Sequence, residues 1–230
     1  MDKSRKFGAL LLTTVFLLTF TVCTKAQLIN ETDGMYLDNP RLFYAGVVAG
    51  ANFAQVDGDN FAGYYKPGLN IGGIGYVHIK NHLALNWEIL YSEKGAKNNI
   101  SRLSNLDTAV LITSYKANLN YAEIPVMLNY FDKRKSHVGM GFSYSRLIGD
   151  GKETIRTDPP NTVDLTKYPY RKDNIDFLVG AQLRMWKGLF LNIRFQYSLI
   201  PARTVSPEAY ARSQKQYNNV WAVRLMYLFM

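Results

Sequence analysis

The stretch Leu189-Phe190-Leu191-Asn192-Ile193-Arg194-Phe195-Gln196-Tyr197-Ser198-Leu199 interleaves two unlike series of side chains. Leu189, Leu191, Ile193, Phe195, Tyr197 and Leu199 form one series; Phe190, Asn192, Arg194, Gln196 and Ser198 form the other. Successive side chains of a strand point to opposite faces, so one face is wholly apolar and the other carries a guanidinium and three polar groups. The apolar face continues for the roughly 9–11 residues that a tilted strand needs to cross a bilayer. The same pattern runs to the end of the chain, with Trp221, Val223, Leu225, Tyr227 and Phe229 on one side and Ala222, Arg224 and Met226 on the other. A period of two between lipid-like and polar faces is the signature of a transmembrane β-barrel.

Eight segments carry strand patterning: about 43–55, 66–79, 83–93, 113–131, 136–148, 173–186, 188–200 and 217–229. No helix-period segment competes with them. Their connections alternate in length. Residues 80–82, 132–135 and 187–188 are short; 56–65, 94–112, 149–172 and 201–216 are long. Outer-membrane barrels have short periplasmic turns and longer external loops. The expectation is an all-β, eight-stranded antiparallel up-and-down barrel with both termini periplasmic, in the outer membrane of a Gram-negative bacterium.

Parity assigns the faces. Leu83, Leu85, Trp87, Ile89 and Tyr91 face out, with Asn86, Glu88 and Ser92 in; Val138, Met140, Phe142 and Tyr144 face out, opposite Gly139, Gly141, Ser143 and Ser145. Segment 113–131 breaks the pattern, because Tyr115, Leu119 and Tyr121 share one parity and Ile124, Val126, Leu128 and Tyr130 the other. A bulge near Ala122–Pro125 would reconcile the two, since proline lacks the N–H of a regular ladder position. Aromatic residues gather toward strand ends: Phe43, Tyr91, Tyr130, Trp186, Tyr197, Trp221 and Phe229 are expected at the membrane interfaces.

Residues 1–26 read as a cleaved signal peptide, with Lys3, Arg5 and Lys6 before the apolar run Phe7–Val22 and Thr24-Lys25-Ala26 at its end. Residues 27–42, with Gly34, Asn39 and Pro40, form a polar lead-in, and 43–230 the barrel domain. Cys23, the sole cysteine, falls within the signal, so disulfides and cysteine-held metals are excluded from the mature chain. The signal carries a net +3 of the formal +9, leaving +6 for about 204 mature residues. The basic residues are scattered rather than grouped on one face, which argues against nucleic acid and makes anionic lipopolysaccharide and outer-membrane lipid the better-placed partners.

Eight strands enclose a space that side chains fill. Glu88, Arg194 and Arg224 fall inward near mid-depth, Arg184 inward nearer the periplasmic end, and Glu123 at mid-depth. Unpaired charges there are costly, so Glu88 and Glu123 are expected to pair with Arg194 and Arg224 in a network that plugs the lumen. Alternatives are a narrow channel for small solutes, a lipid-modifying enzyme or a soluble ligand-binding barrel. The last would place its large apolar side chains inside. Enzyme chemistry commonly needs a histidine near a nucleophile. His78, His82 and His137 all fall at or near the short turns, no serine sits in a nucleophile elbow, and no phosphate-cradling or zinc-spaced motif is present. No catalytic residue, metal or cofactor is expected. Recognition belongs to the loops at about 94–112, 149–172 and 201–216, where a protein partner would meet a rigid scaffold.

The chain resembles the PorT-type outer-membrane β-barrel family of Bacteroidetes over most of residues 43–230. The resemblance rests on Gly46-Val47-Val48-Ala49-Gly50-Ala51-Asn52, Lys66-Pro67-Gly68-Leu69-Asn70-Ile71-Gly72, Trp87-Glu88-Ile89-Leu90-Tyr91-Ser92-Glu93-Lys94-Gly95 and Leu119-Asn120-Tyr121-Ala122-Glu123-Ile124-Pro125. It implies an eight-stranded outer-membrane barrel and carries over no catalytic residue. The C-terminal strand, with Phe229 before Met230, is similar to the signal read by the barrel-insertion machinery.

Overall fold

The computed structural model describes residues 42–61, 63–80, 82–98, 101–105, 110–132, 135–160 and 164–229. The expected signal, Cys23, the lead-in up to residue 41 and Met230 lie outside the described residues. Among the described residues ten strands follow in chain order: β1 (Phe43–Asp57), β2 (Lys66–Lys80), β3 (Leu83–Asn98), β4 (Arg102–Leu103), β5 (Leu111–Phe131), β6 (His137–Leu147), β7 (Lys152–Asp158), β8 (Asp173–Trp186), β9 (Leu189–Ser198) and β10 (Tyr217–Leu228). Each long strand pairs antiparallel with the next, and β10 returns to pair β1, from Gly46↔Leu228 to Asp57↔Tyr217. Eight strands therefore form a closed ring, which removes every exposed edge at the height of the ring. The short β4 and β7 pair only with the far part of β5 and lie beyond the ring, at the end that carries the long loops.

At the opposite end, the connections β2–β3, β5–β6 and β8–β9 are tight. Gly188 sits between Lys187 and Leu189 at φ +95°, a left-handed conformation that favours glycine in a two-residue hairpin. Within the wall, Gly50 lies opposite Arg224, and a Cβ there would meet the Arg224 Cβ at 2.9 Å. The absent side chain leaves room for the guanidinium stem.

Burial alternates with period two along β3, β5, β8, β9 and β10. The faces match the parity read above, with the exposed wall including Ile89, Val138, Met140, Phe142, Val179, Trp221, Val223 and Leu225.

The expected bulge at Ala122–Pro125 is absent. From Tyr115 to Phe131 β5 alternates without a break, and it keeps one register against β6 from Tyr121↔Leu147 to Phe131↔His137; its irregularity lies instead against β7, between Ile112 and Ser114. The ladder to β3 passes from Trp87↔Val126 to Leu90↔Glu123 without a shift, so the missing N–H of Pro125 is absorbed as a local gap. What changes along β5 is the surrounding medium. Outward residues run Tyr130, Leu128, Val126, Ile124, Ala122 and then Asn120, Asn118, Lys116; inward, Glu123 gives way to Tyr121, Leu119, Ala117 and Tyr115, all buried. Beyond about residue 120 the apolar side chains have turned inward, as they do wherever water is outside. Two further boundaries move. β3 continues to Asn98, so Lys94 stands in a strand; and the connection 149–172 contains β7 and a short 3-10 turn, Leu165–Lys167.

The interior is layered. Nearest the short turns lies an apolar plug of Tyr44, Val48, Ile74, Tyr76, Ala84, Leu90, Phe131, Phe190, Met226 and Leu228. Charged and amide side chains fill the middle. Toward the long loops come two apolar clusters, one around Leu119, Tyr121, Leu147, Tyr170 and Ala202, the other around Phe61, Tyr115 and Tyr210.

Candidate functional site

The middle of the lumen is built from inward positions of neighbouring strands, and its charges form two groups. In the first, Glu88 on β3 lies between two arginines. Arg194 on β9 donates to both carboxylate oxygens, through Nη1 to Oε2 at 3.1 Å and through Nη2 to Oε1; Arg224 on β10 donates through Nη1 to Oε2 at 2.9 Å. A bidentate guanidinium–carboxylate pair fixes orientation as well as charge. Arg224 also donates to the Asn192 side-chain oxygen from Nε at 3.0 Å and Nη2 at 2.8 Å, and to Asn70 at 3.2 Å. Asn86 donates to Glu88 at 3.1 Å, and Asn129 to Asn86 at 2.6 Å.

In the second group, Lys94 on β3 bridges Asp176 on β8, at 2.9 Å, and Glu123 on β5. Gln196 donates to Asp176 at 2.7 Å and to Glu123 at 3.0 Å. Ser145 and Ser198 donate to Asp176 at 2.8 and 2.7 Å, and Asn174 at 2.9 Å. The first group is net positive by one charge and the second net negative by one, so the six charges cancel within the lumen. Their hydrogen bonds are what make a buried array of this kind tolerable.

The structure thus brings Glu88, Arg194 and Arg224 together. Glu123 is also inward, but its cation is Lys94 and not an arginine. Arg184 does not join: it is exposed at the rim by the short turns, where the β8–β9 register shifts between Arg184 and Trp186 and the strand has run past the lumen. Lys94 and Asp176 complete the array. Lys94 shares the parity of Asn86, Glu88 and Ser92, a signal that a strand boundary at 93 conceals; Asp176 shares the parity of Gly180 and Gln182.

A third pair caps the loop end. Arg203 donates to Glu153 through Nη2 at 2.5 Å, with its guanidinium carbon 3.8 Å from the Tyr170 ring centre. Tyr115 donates to the same carboxylate at 2.8 Å, and so does Tyr210. Burial, followed by the Glu153 charge, raises the Tyr170 and Tyr210 phenols above their ordinary range.

The three histidines sit among the short turns. His137 shares a 3.0 Å hydrogen bond with the Tyr76 hydroxyl and stacks on Phe131; His82 Nδ1 lies 3.1 Å from the Phe131 carbonyl; His78 is half-buried. Among the described residues no group of three or more His, Cys, Asp or Glu side chains is placed to hold a metal.

The outward aromatics occupy two bands. Phe43, Tyr130, Trp186 and Phe229 lie toward the short turns; Tyr91, Tyr197 and Trp221 lie toward the loops, where Tyr197 stacks on Tyr217. The outward apolar residues from Trp221 to Phe229 span about 26 Å of chain, or about 20 Å of height at a tilt of about 40°.

A closed ring with an apolar outer wall of that height and an ionic interior defines an integral outer-membrane β-barrel protein. The chain belongs to the family described as outer membrane protein beta-barrel domain, whose profile matches residues 26–203. Among solved structures it is similar to Ail, the attachment invasion locus protein of Yersinia pestis, at 9% identity over 82% of this chain and 100% of that one, with a TM-score of 0.43. It is similar to Neisserial surface protein A at 10% identity over 82% and 98% of the two chains, with a TM-score of 0.44. A major outer membrane protein of Thermus thermophilus shows 12% identity over 82% and 100%, with a TM-score of 0.46. No curated protein matches the sequence.

Proposed function

We propose that this barrel is a non-conducting scaffold that holds an interaction surface outside the outer membrane. The short turns and both termini are periplasmic in this reading, and the long loops face outward. Phe43, Tyr91, Tyr130, Trp186, Tyr197, Trp221 and Phe229 anchor it at the two interfaces, where amphipathic rings prefer to lie. The motifs quoted above support a PorT-type member of the family. The observation that carries the proposal is the filled lumen: an apolar plug, two mutually neutralising charge groups and an aromatic cap succeed one another along the axis. The extension of β5 with β4 and β7 stands above the outward apolar band and provides the ordered part of the surface for a protein partner or lipopolysaccharide. The chain has no catalytic role in this reading, and it reaches the membrane through the barrel-insertion machinery.

A narrow channel is the competing reading. Purified protein in planar bilayers should give no discrete conductance steps. Stable steps carried by the folded, heat-modifiable form would replace the scaffold with a pore.

A further inference from the structure

The ring is not hydrogen-bonded to the same height all round. The β2–β3 ladder ends at Asn70↔Ser92, whereas β1–β2 continues to Ala54↔Lys66 and β3–β5 to Asn98↔Tyr115. Above Asn70 and Ser92 the backbone ladder stops, although Gly68 still lies close against Glu93, and side chains complete the seam. The Glu93 carboxylate accepts from the Leu69 backbone N–H at 3.1 Å and from the Tyr91 hydroxyl at 3.1 Å. From the lumen side, Asn52 donates to the Glu93 carbonyl at 2.9 Å. Beside this seam lies a cleft of about 580 Å³, lined by Lys66, Glu93, Asn118, Asn120, Asp150 and Lys152.

Lys66 is the unexplained group. Only 4% of its surface is exposed, it lines the cleft, and it makes no hydrogen bond or ion pair among the described residues. Burying an ammonium without a partner is costly. The opposite charges near it are Glu93 and Asp150, and neither forms an ion pair with it. Asp150 is held by Lys172 at 2.5 Å, and Glu93 is engaged by the two neutral donors just named. Lys152 is exposed on the opposite lip, and Lys116 adds positive charge near Lys66. Asn118 and Asn120 add outward amides. With Lys172 on Asp150 and Lys116 beside Lys66, four cations face the two carboxylates, so the cleft and its rim are net positive and rich in donors.

Its position says what kind of anion it meets. Leu69, whose N–H binds Glu93, is exposed on the outer wall, as are Ile71 on the same strand and Ile89 on β3. Ile148 lines the cleft and is itself exposed. An apolar track thus leads along the wall into a cationic cleft at the loop-side end of the apolar band. A free anion has no use for that track; an acyl chain does. We infer that the β2–β3 seam binds the phosphate headgroup of an anionic membrane lipid, with Lys66 and Lys152 meeting the phosphate and Leu69, Ile71 and Ile148 meeting its chain. This needs the membrane embedding but not the external orientation of the loops or the closed lumen, so it can fail without either failing.

The test reconstitutes the full chain in phosphatidylcholine vesicles with a minor fraction of phosphatidylglycerol. Association of spin-labelled phosphatidylglycerol is compared with that of spin-labelled phosphatidylcholine. The wild type should prefer the anionic lipid; Lys66→Gln should lower that preference about five-fold, and Lys66→Arg should keep it. Lys152→Gln should lower it also, which keeps the test open if Lys66→Gln does not fold by heat-modifiable mobility. Arg212→Gln removes the same charge from an exposed loop position away from the cleft and should change nothing. Equal losses in Arg212→Gln and Lys66→Gln would mean general surface charge and overturn the site. So would the absence of any preference in the wild type. Displacement of the labelled lipid by inorganic phosphate alone would make this a free-anion site and overturn the lipid assignment.

Discussion

Glu88 is the residue on which the first charge group turns. It is fully buried, and two guanidiniums depend on it. Glu88→Gln keeps the shape and removes the charge, leaving Arg194 and Arg224 facing each other without an anion. Breaking a buried ion pair in this way costs about 3–5 kcal/mol. Urea unfolding in vesicles, followed by loss of the fast-migrating folded band, should show a loss of that order. Asp173→Asn is the contrast. It breaks a pair with Arg146 in which both side chains are more than a third exposed, and the change should stay within about 1 kcal/mol. At this scale parity was an adequate guide for Glu88, Arg194 and Arg224, because a charge in mid-strand has only two directions to point. It was inadequate at strand ends. Lys94 belongs to the lumen although it looked like the first residue of a loop, and Arg184 lies in the open although its parity is inward. Parity gives a direction; whether anything encloses that direction depends on how far the neighbouring strands extend.

β5 shows why an element's hydrophobic pattern reports its surroundings as much as its geometry. The apparent slip near Ala122–Pro125 was a change of medium, with lipid outside from Tyr130 to Ala122 and water outside from Asn120 to Lys116, and the strand passes straight through. The expected strand was therefore nearly right in extent, and the expected bulge was wrong. This account makes an unequal pair of predictions. Val126→Arg places a cation on the outward face within the apolar band and should cost about 2–4 kcal/mol. Asn118→Arg, on the same face of the same strand eight residues earlier, should change stability by less than about 0.5 kcal/mol. Urea folding equilibria in vesicles would measure both. Similar costs at the two positions would mean that the lipid boundary does not cross β5 where the side chains change character.

For the whole molecule, the alternation of short and long connections implied antiparallel neighbours, because hairpins join adjacent strands, and an even count lets the last strand pair antiparallel with the first, as β10 does with β1. The cap at the loop end had no such signal. Arg203 and Glu153 are 50 residues apart, one in the β9–β10 loop and the other on β7, inside a segment that reads as a loop in the sequence, and only the closed ring brings them together. The cap is held by neutral phenols around one carboxylate, and that gives it a pH dependence of definite sign. Tyr170 and Tyr210 are raised in the folded protein by burial and then by Glu153, from an ordinary value of 10.0. In an opened cap they ionise near that ordinary value, while in the closed cap they stay protonated to higher pH. The closed cap therefore holds more protons in the alkaline range. Its contribution is complete below about pH 10 and is lost as pH rises toward the folded values. Among the described residues the barrel wall carries no comparable phenol cluster around a loop carboxylate, and it should outlast the cap. Limited proteolysis of the reconstituted protein at pH 8 and at about pH 11 should therefore cut residues 149–172 and 201–216 faster at the higher pH, with the folded barrel band unchanged. Tyr210→Phe removes one titrating group while keeping the ring, so its cap should lose less resistance between the two pH values than the wild type does. An equal loss in both would show that the phenol does not couple the cap to pH.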